Sequence, residues 1–203
     1  EGVMDKTIPL SRGWSRSHPY VFSVSSGKGG VGKTNIVINL AIEIQRQGLK
    51  VLVFDADLGL SNVPVLLGAV PEHDLSHILF GQKSMQEVLF EGPEGVRILP
   101  AGSGVEELAA LTGEQQMRLL CEAEMLDKAY DVVIVDTGAG ISPNVMFFNN
   151  VSQDNVVIVY PEPAAIADAY ALMKILAVRY HRKRFKVILN GVRSEAESRE
   201  VLD

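Results

Sequence analysis

A single cysteine, Cys121, is all the thiol in 203 residues, so no disulfide framework and no cysteine-ligated metal or iron–sulfur site can form within one chain. The four histidines, His18, His73, His77 and His181, are scattered and give no zinc-ligand set. No apolar run reaches the roughly 20 residues of a membrane-crossing helix, and no signal-peptide core stands near the N-terminus. Excess positive charge is missing too. The formal net charge of −6 speaks against non-specific DNA binding, which depends on clustered Lys and Arg. These absences fit a reducing, cytoplasmic setting. Hydrophobic periodicity is absent from residues 1–19, which hold Pro9, Pro19 and several charges and read as a loose N-terminal arm.

What is present is a repeated alternation. Short apolar runs occur at Tyr20–Ser25, Lys50–Asp55, Val96–Pro100, Asp131–Asp136, Asn155–Tyr160 and Phe185–Asn190. They are rich in Val and Ile and lack polar alternation, as strands buried on both faces of a parallel sheet do. Helical patterns lie between them. One covers Lys33–Gln47 and stops at Gly48; another opens on the capping box Thr112-x-x-Gln115 and runs to about Lys128; a third covers Ala164–Tyr180. Strand–helix alternation predicts right-handed βαβ crossovers, hence one three-layer α/β/α domain with a mainly parallel sheet over residues 20–203.

Gly27-Lys28-Gly29-Gly30-Val31-Gly32-Lys33-Thr34 fits the phosphate-loop pattern G-x-x-x-x-G-K-[ST], between a strand and a helix as that pattern requires. The glycines let backbone N–H groups of this loop, with Asn35 just beyond it, turn toward phosphate oxygens, and the helix N-terminus adds partial positive charge. Lys33 is expected to bridge the β and γ phosphates, and the Thr34 hydroxyl to ligate Mg²⁺. Lys28 is the unusual residue. An early side chain of a wrapped loop projects outward, either as a solvated charge or toward a phosphate held by a facing subunit, and spacing does not choose between these.

Two further strands end in carboxylates, where ligands bind in such sheets. Asp55-Ala56-Asp57 follows the second strand, though the same pattern also makes a simple turn. Asp136 closes the apolar run Val132–Val135, the pattern that holds Mg²⁺ through a water; a helix-capping Asp would look alike. Asn190-Gly191 ends the last strand. Arg179–Arg184 reads as cations at a helix C-terminus, Met146–Phe148 as core, and Cys121 as a small buried apolar residue.

The string KGGVGKT resembles the deviant Walker A motif of the MinD/ParA family of dimerising ATPases, P-loop NTPases of the SIMIBI type. This resemblance implies that Lys28 crosses a dimer interface to the partner's nucleotide. It implies that Asp55 helps hold the Mg²⁺ waters with Thr34 and Asp136, that Asp57 positions the attacking water, and that Asn190 reads the adenine edge. Longer strings, DADLGLSNVPVLLG (Asp55–Gly68), DLSHILFG (Asp74–Gly81), DTGAGIS (Asp136–Ser142) and PEPAAIADAYALMKIL (Pro161–Leu176), are similar to the FlhG/FleN group of MinD-like regulators of flagellar number and placement. The expectation is a slow, Mg²⁺-dependent ATPase that binds ATP or ADP, forms a homodimer with ATP, and works with an FlhF-like flagellar GTPase or a transcriptional regulator. Members of that family run on past the point where this chain stops, often to an amphipathic helix at the inner membrane, so membrane contact is expected only from a segment outside it. A division-site or DNA-partitioning ATPase is the alternative within the same fold. An iron–sulfur reductase needs cysteines that are absent, and a non-catalytic scaffold would not need Asp57 and Asp136.

Overall fold

A computed structural model describes residues 18–58, 62–102, 108–125 and 129–202. The arm expected over residues 1–19, apart from His18 and Pro19, and the end of the helix expected near Lys128 lie outside the described residues.

The strands are β1 Tyr20–Ser26, β2 Val51–Ala56, β3 Phe90–Glu91, β4 Arg97–Leu99, β5 Val132–Ala139, β6 Asp154–Val159 and β7 Lys186–Leu189. They form one sheet in the order β3-β4-β2-β5-β1-β6-β7, parallel throughout except for the β3–β4 pair. Each expected strand is present within a residue or so of its expected start. The two-residue β3 was not expected, because a run that short carries no periodicity.

The helices are α1 Lys33–Arg46, α2 Val63–Leu67, α3 Leu75–Leu79, α4 Met85–Val88, α5 Gly113–Met125, α6 Pro143–Val151, α7 Pro163–Tyr180 and α8 Glu195–Leu202. α1 lays Val37, Ile38 and Ala41 on one face of the sheet, against Val53, Ile134 and Ile158. On the other face Leu75 and Ile78 of α3 and Phe148 of α6 meet Leu52, Phe54 and Val135. All six residues of β2 are buried, which is why that strand reads as an unbroken apolar run up to its aspartate. Gly48 follows α1 at φ 90°, and its N–H returns to the Gln45 carbonyl at 2.9 Å. The Thr112–Gln115 box forms as expected, with the Thr112 N–H donating to Gln115 Oε1 at 2.9 Å and the Gln115 N–H to Thr112 Oγ1 at 3.2 Å.

Two expectations about side chains need correction. Cys121 is exposed, not buried. α5 buries only Leu119, and a residue two places on lies about 200° round the helix, facing solvent. The basic cluster does serve a helix C-terminus, but for Arg182 it is that of α6. Its guanidinium donates to the Asn150 carbonyl and, at 2.7 Å, to the Ser152 carbonyl. His181, at φ 58°, ends α7. Met146 and Phe148 are buried as expected. Among the described residues no helix is long and apolar enough to cross a membrane.

Candidate nucleotide-binding site

Parallel strands deliver their C-terminal ends to one edge, and the functional candidates collect there. β1 runs into the loop Gly27–Gly32, which hands over to α1 at Lys33. Two glycines are required by the packing itself. A Cβ on Gly27 would fall 2.2 Å from the Asp168 carbonyl carbon in α7, so loop and helix can approach this closely only without a side chain. Gly32 sits at φ 87° as the residue before α1, and a Cβ there would meet the Asn190 amide at 2.5 Å.

The two lysines of the loop both rest on carboxylates from other elements. Lys33 is buried, with Nζ 2.5 Å from Oδ1 of the equally buried Asp136. The other oxygen, Asp136 Oδ2, is buried and has no hydrogen-bond partner among the described residues. Lys28 is half-exposed and reaches both Oε atoms of Glu162 at 3.1 Å. In a single chain it therefore sits in a half-exposed ion pair with the residue that precedes α7. Glu162 was not singled out from the sequence, although it lies in the string Pro161–Leu176 (134 residues from Lys28, too far for any local pattern to link them).

Asp55 and Asp136 face each other in register across β2 and β5, and both are buried. Such a pair of carboxylates persists only with compensating donors or cations. Asp55 has them in backbone form. Its Oδ1 accepts the Asp57 N–H at 3.2 Å, and its Oδ2 accepts the N–H groups of Asn62 and Val63 at 3.2 and 3.1 Å. The carboxylate thereby fastens the chain that returns into α2. Asp57 points toward Gly138 and takes the Asn62 amide on Oδ2 at 3.0 Å. Burial pushes its pKa up; Lys33 and Asn62 oppose the shift and Asp136 adds to it. A raised native pKa means that keeping Asp57 ionised costs stability as pH climbs past the ordinary carboxylate range. Asp57→Asn is therefore expected to raise the melting temperature at neutral pH, with the gain shrinking toward zero below the unfolded carboxylate pKa; calorimetry from low to neutral pH checks this.

Gly29, Gly30, Lys33, Thr34, Asn35 and Asp57 line one open cleft of about 650 Å³. Asn190, at the end of β7, donates its amide to the Val31 carbonyl at 2.7 Å, so it braces the loop beside that cleft. A buried polar cluster, which sequence reasoning missed, supports the loop from below. Ser25 bonds Thr137 at 2.8 Å and Asn149 at 3.1 Å, while Asn155 donates to Ser23 at 2.8 Å. These bonds tie the end of β1 to β5, β6 and α6. The residues fit a triphosphate with a divalent cation: a glycine cradle, a lysine and a hydroxyl at a helix start, and an orphaned buried carboxylate oxygen beside them.

Fold and site together define a P-loop nucleotide-binding α/β domain. A family model described as an AAA domain matches residues 20–187. The antiactivator FleN of Pseudomonas aeruginosa is 42% identical over 185 residues, covering 91% of this chain and 66% of the relative. The flagellum site-determining protein YlxH of Helicobacter pylori is 37% identical over 175 residues, 86% of this chain and 60% of the relative. The chain thus spans somewhat less than two thirds of the curated relatives it matches. Among solved structures, MinD in the MinC:MinD cell division complex of Aquifex aeolicus superposes with a TM-score of 0.71 at 28% identity, over 89% of this chain and 72% of that one. MinD of Pyrococcus horikoshii, complexed with Mg-ADP, shares the fold at a TM-score of 0.73 and 24% identity, over 91% and 78%. The chain belongs to this AAA-domain family, within its MinD/ParA group of P-loop ATPases.

Proposed function

We propose that this chain is the ATPase part of a dimerising molecular switch that regulates flagellar number and placement. The observation that carries the reading is the parking of its two loop lysines, Lys33 on Asp136 inside the site and Lys28 on Glu162 at its rim. Phosphates entering the cleft compete for Lys33, and its release leaves the Asp136 carboxylate to a cation. Thr34, Asp55 and Asp136 would hold Mg²⁺, which when bound neutralises charge on the phosphates. The amides of Gly27–Thr34 cradle the anion, Asn35 follows at the start of α1, and Asn190 is assigned to read the base edge. Asp57 orients the attacking water. Positioning matters more than basicity in phosphoryl transfer, which suits the slow turnover of a switch. In the dimer each Lys28 leaves Glu162 and neutralises charge on the partner's phosphates.

The flagellar reading is supported by YlxH, whose name is that of a flagellum site-determining protein, and the regulatory side of it by FleN, named an antiactivator. It implies a cytoplasmic protein and a partner such as an FlhF-like GTPase or a transcriptional regulator. A division-site role, supported by the likeness to MinD in its complex with MinC, is the second reading. Asp57→Ala tests the switch. With ATP this variant should accumulate as a dimer and hydrolyse at least ten-fold more slowly, since the cradle and Lys28 remain while the water is no longer held. Light scattering that shows only monomer with ATP would refute the role given to Asp57.

A further inference from the structure

At the opposite end of the sheet from the nucleotide cleft, the core does not close. A groove of about 260 Å³ lies between α5 and α6, over the first residues of β1, β2 and β5. Val21, Leu52 and Val133 form its floor, and Leu120, Phe147 and Val151 stand in its walls. Val21 and Val133 are only half-buried although they point from a sheet face, and Val151 is 38% exposed. Covering apolar surface of this kind is favourable in water.

The chain itself arrives at this groove. Residues 1–17 lie outside the described residues and join them at His18 and Pro19. Pro19 lines the groove, and a shallower hollow beside it is lined by His18, Pro19, Glu124 and Gln153. Trp14, the one tryptophan in the sequence, stands five residues before Pro19. Five residues span up to about 17 Å when extended, so the groove is within its reach. Charge is complementary as well. Residues 1–17 carry Glu1 and Asp5 at their start and then Lys6, Arg12 and Arg16 with no further acid around Trp14, whereas the α5 wall carries Glu114, Glu122 and Glu124 against one Arg118. Glu124 lines both the groove and the hollow.

We propose that this groove takes the indole of Trp14 and so anchors residues 1–17 between α5 and α6. An indole offers a large apolar body for the floor and one N–H for a polar rim, which matches a groove apolar throughout except near Glu124 and Tyr130. The inference is independent of the ATPase reading.

Because Trp14 is the only tryptophan, tryptophan emission from the full chain reports on the surroundings of this one side chain. The expected result is emission blue-shifted from that of the urea-unfolded chain, with acrylamide quenching reduced several-fold. Ala123→Glu places a charge at an exposed wall position and should return both readings to those of the unfolded chain, with circular dichroism and ATP binding unchanged. Trp14→Ala should raise binding of the apolar dye anilinonaphthalene sulfonate several-fold. Native emission equal to that of the unfolded chain would overturn the proposal. So would a blue shift that survives Ala123→Glu, or dye binding unchanged in Trp14→Ala. A blue shift that grows with protein concentration would assign the groove to a second copy and overturn it equally.

Discussion

Lys33→Ala is expected to abolish measurable ATP binding and to destabilise the nucleotide-free protein at the same time. The phosphates lose a direct cation and with it a charge-assisted hydrogen bond worth about 1.5–3 kcal/mol. The protein loses the partner of a carboxylate that is 1% exposed and already has one unsatisfied oxygen. Removing one member of a buried pair costs about 3–5 kcal/mol, because the remaining charge is left without compensation. The two effects separate in a double variant. Lys33→Ala with Asp136→Asn should recover most of the thermal stability, since an amide is easier to bury alone, but none of the nucleotide affinity. Near-normal affinity of Lys33→Ala in calorimetry would refute the phosphate-loop assignment; a double variant no more stable than the single one would refute the energetic role of the ion pair.

Lys28→Ala should behave in the opposite way: full stability, ATP binding retained, and loss of both dimerisation and hydrolysis. The Lys28–Glu162 pair is half-exposed on both sides, and such pairs contribute about 0–1 kcal/mol, so its removal is hardly felt by the fold. Lys33 and the loop amides still hold the nucleotide. The dimer fails because two triphosphates then face each other without the crossing cations. Mixing Lys28→Ala with Asp57→Ala makes the test sharper. A mixed dimer contains one site with an intact Asp57 and the partner's Lys28, so activity should return that neither variant shows alone. No recovery despite mixed dimers in native mass spectrometry counts against action across the interface. A Lys28→Ala protein that dimerises and hydrolyses normally ends that role altogether.

The loop from Gly27 to Thr34 was legible because its chemistry is carried by consecutive backbone groups, and spacing along the chain is nearly the geometry itself. The same holds for the Thr112–Gln115 box, closed within one turn, and for β2 and β6, whose burial on both faces appears directly as an absence of polar alternation; β7, expected to be buried alike, lies at the sheet edge and is exposed or half-buried along its length. Five helices were not read, α2, α3, α4, α6 and α8, since four to nine residues span at most about two and a half helical turns and show little period. Cys121 was misread because a helical pattern says that one stripe is buried but not which, and only the docking of Leu119 decides it.

By itself, then, the sequence determined the layer architecture, the phosphate cradle and the carboxylates at the strand ends, all set by local periodicity and by the rule that parallel strands point their C-terminal ends to one edge. The folded chain decided the pairings. That Lys28 rests on Glu162, that Asn190 braces Val31, and that Ser25 meets Asn149 beneath the loop each joins residues more than a hundred positions apart. Such contacts depend on crossover order and on how close α7 comes to Gly27, a distance set by packing across the whole sheet and written in no local run of residues.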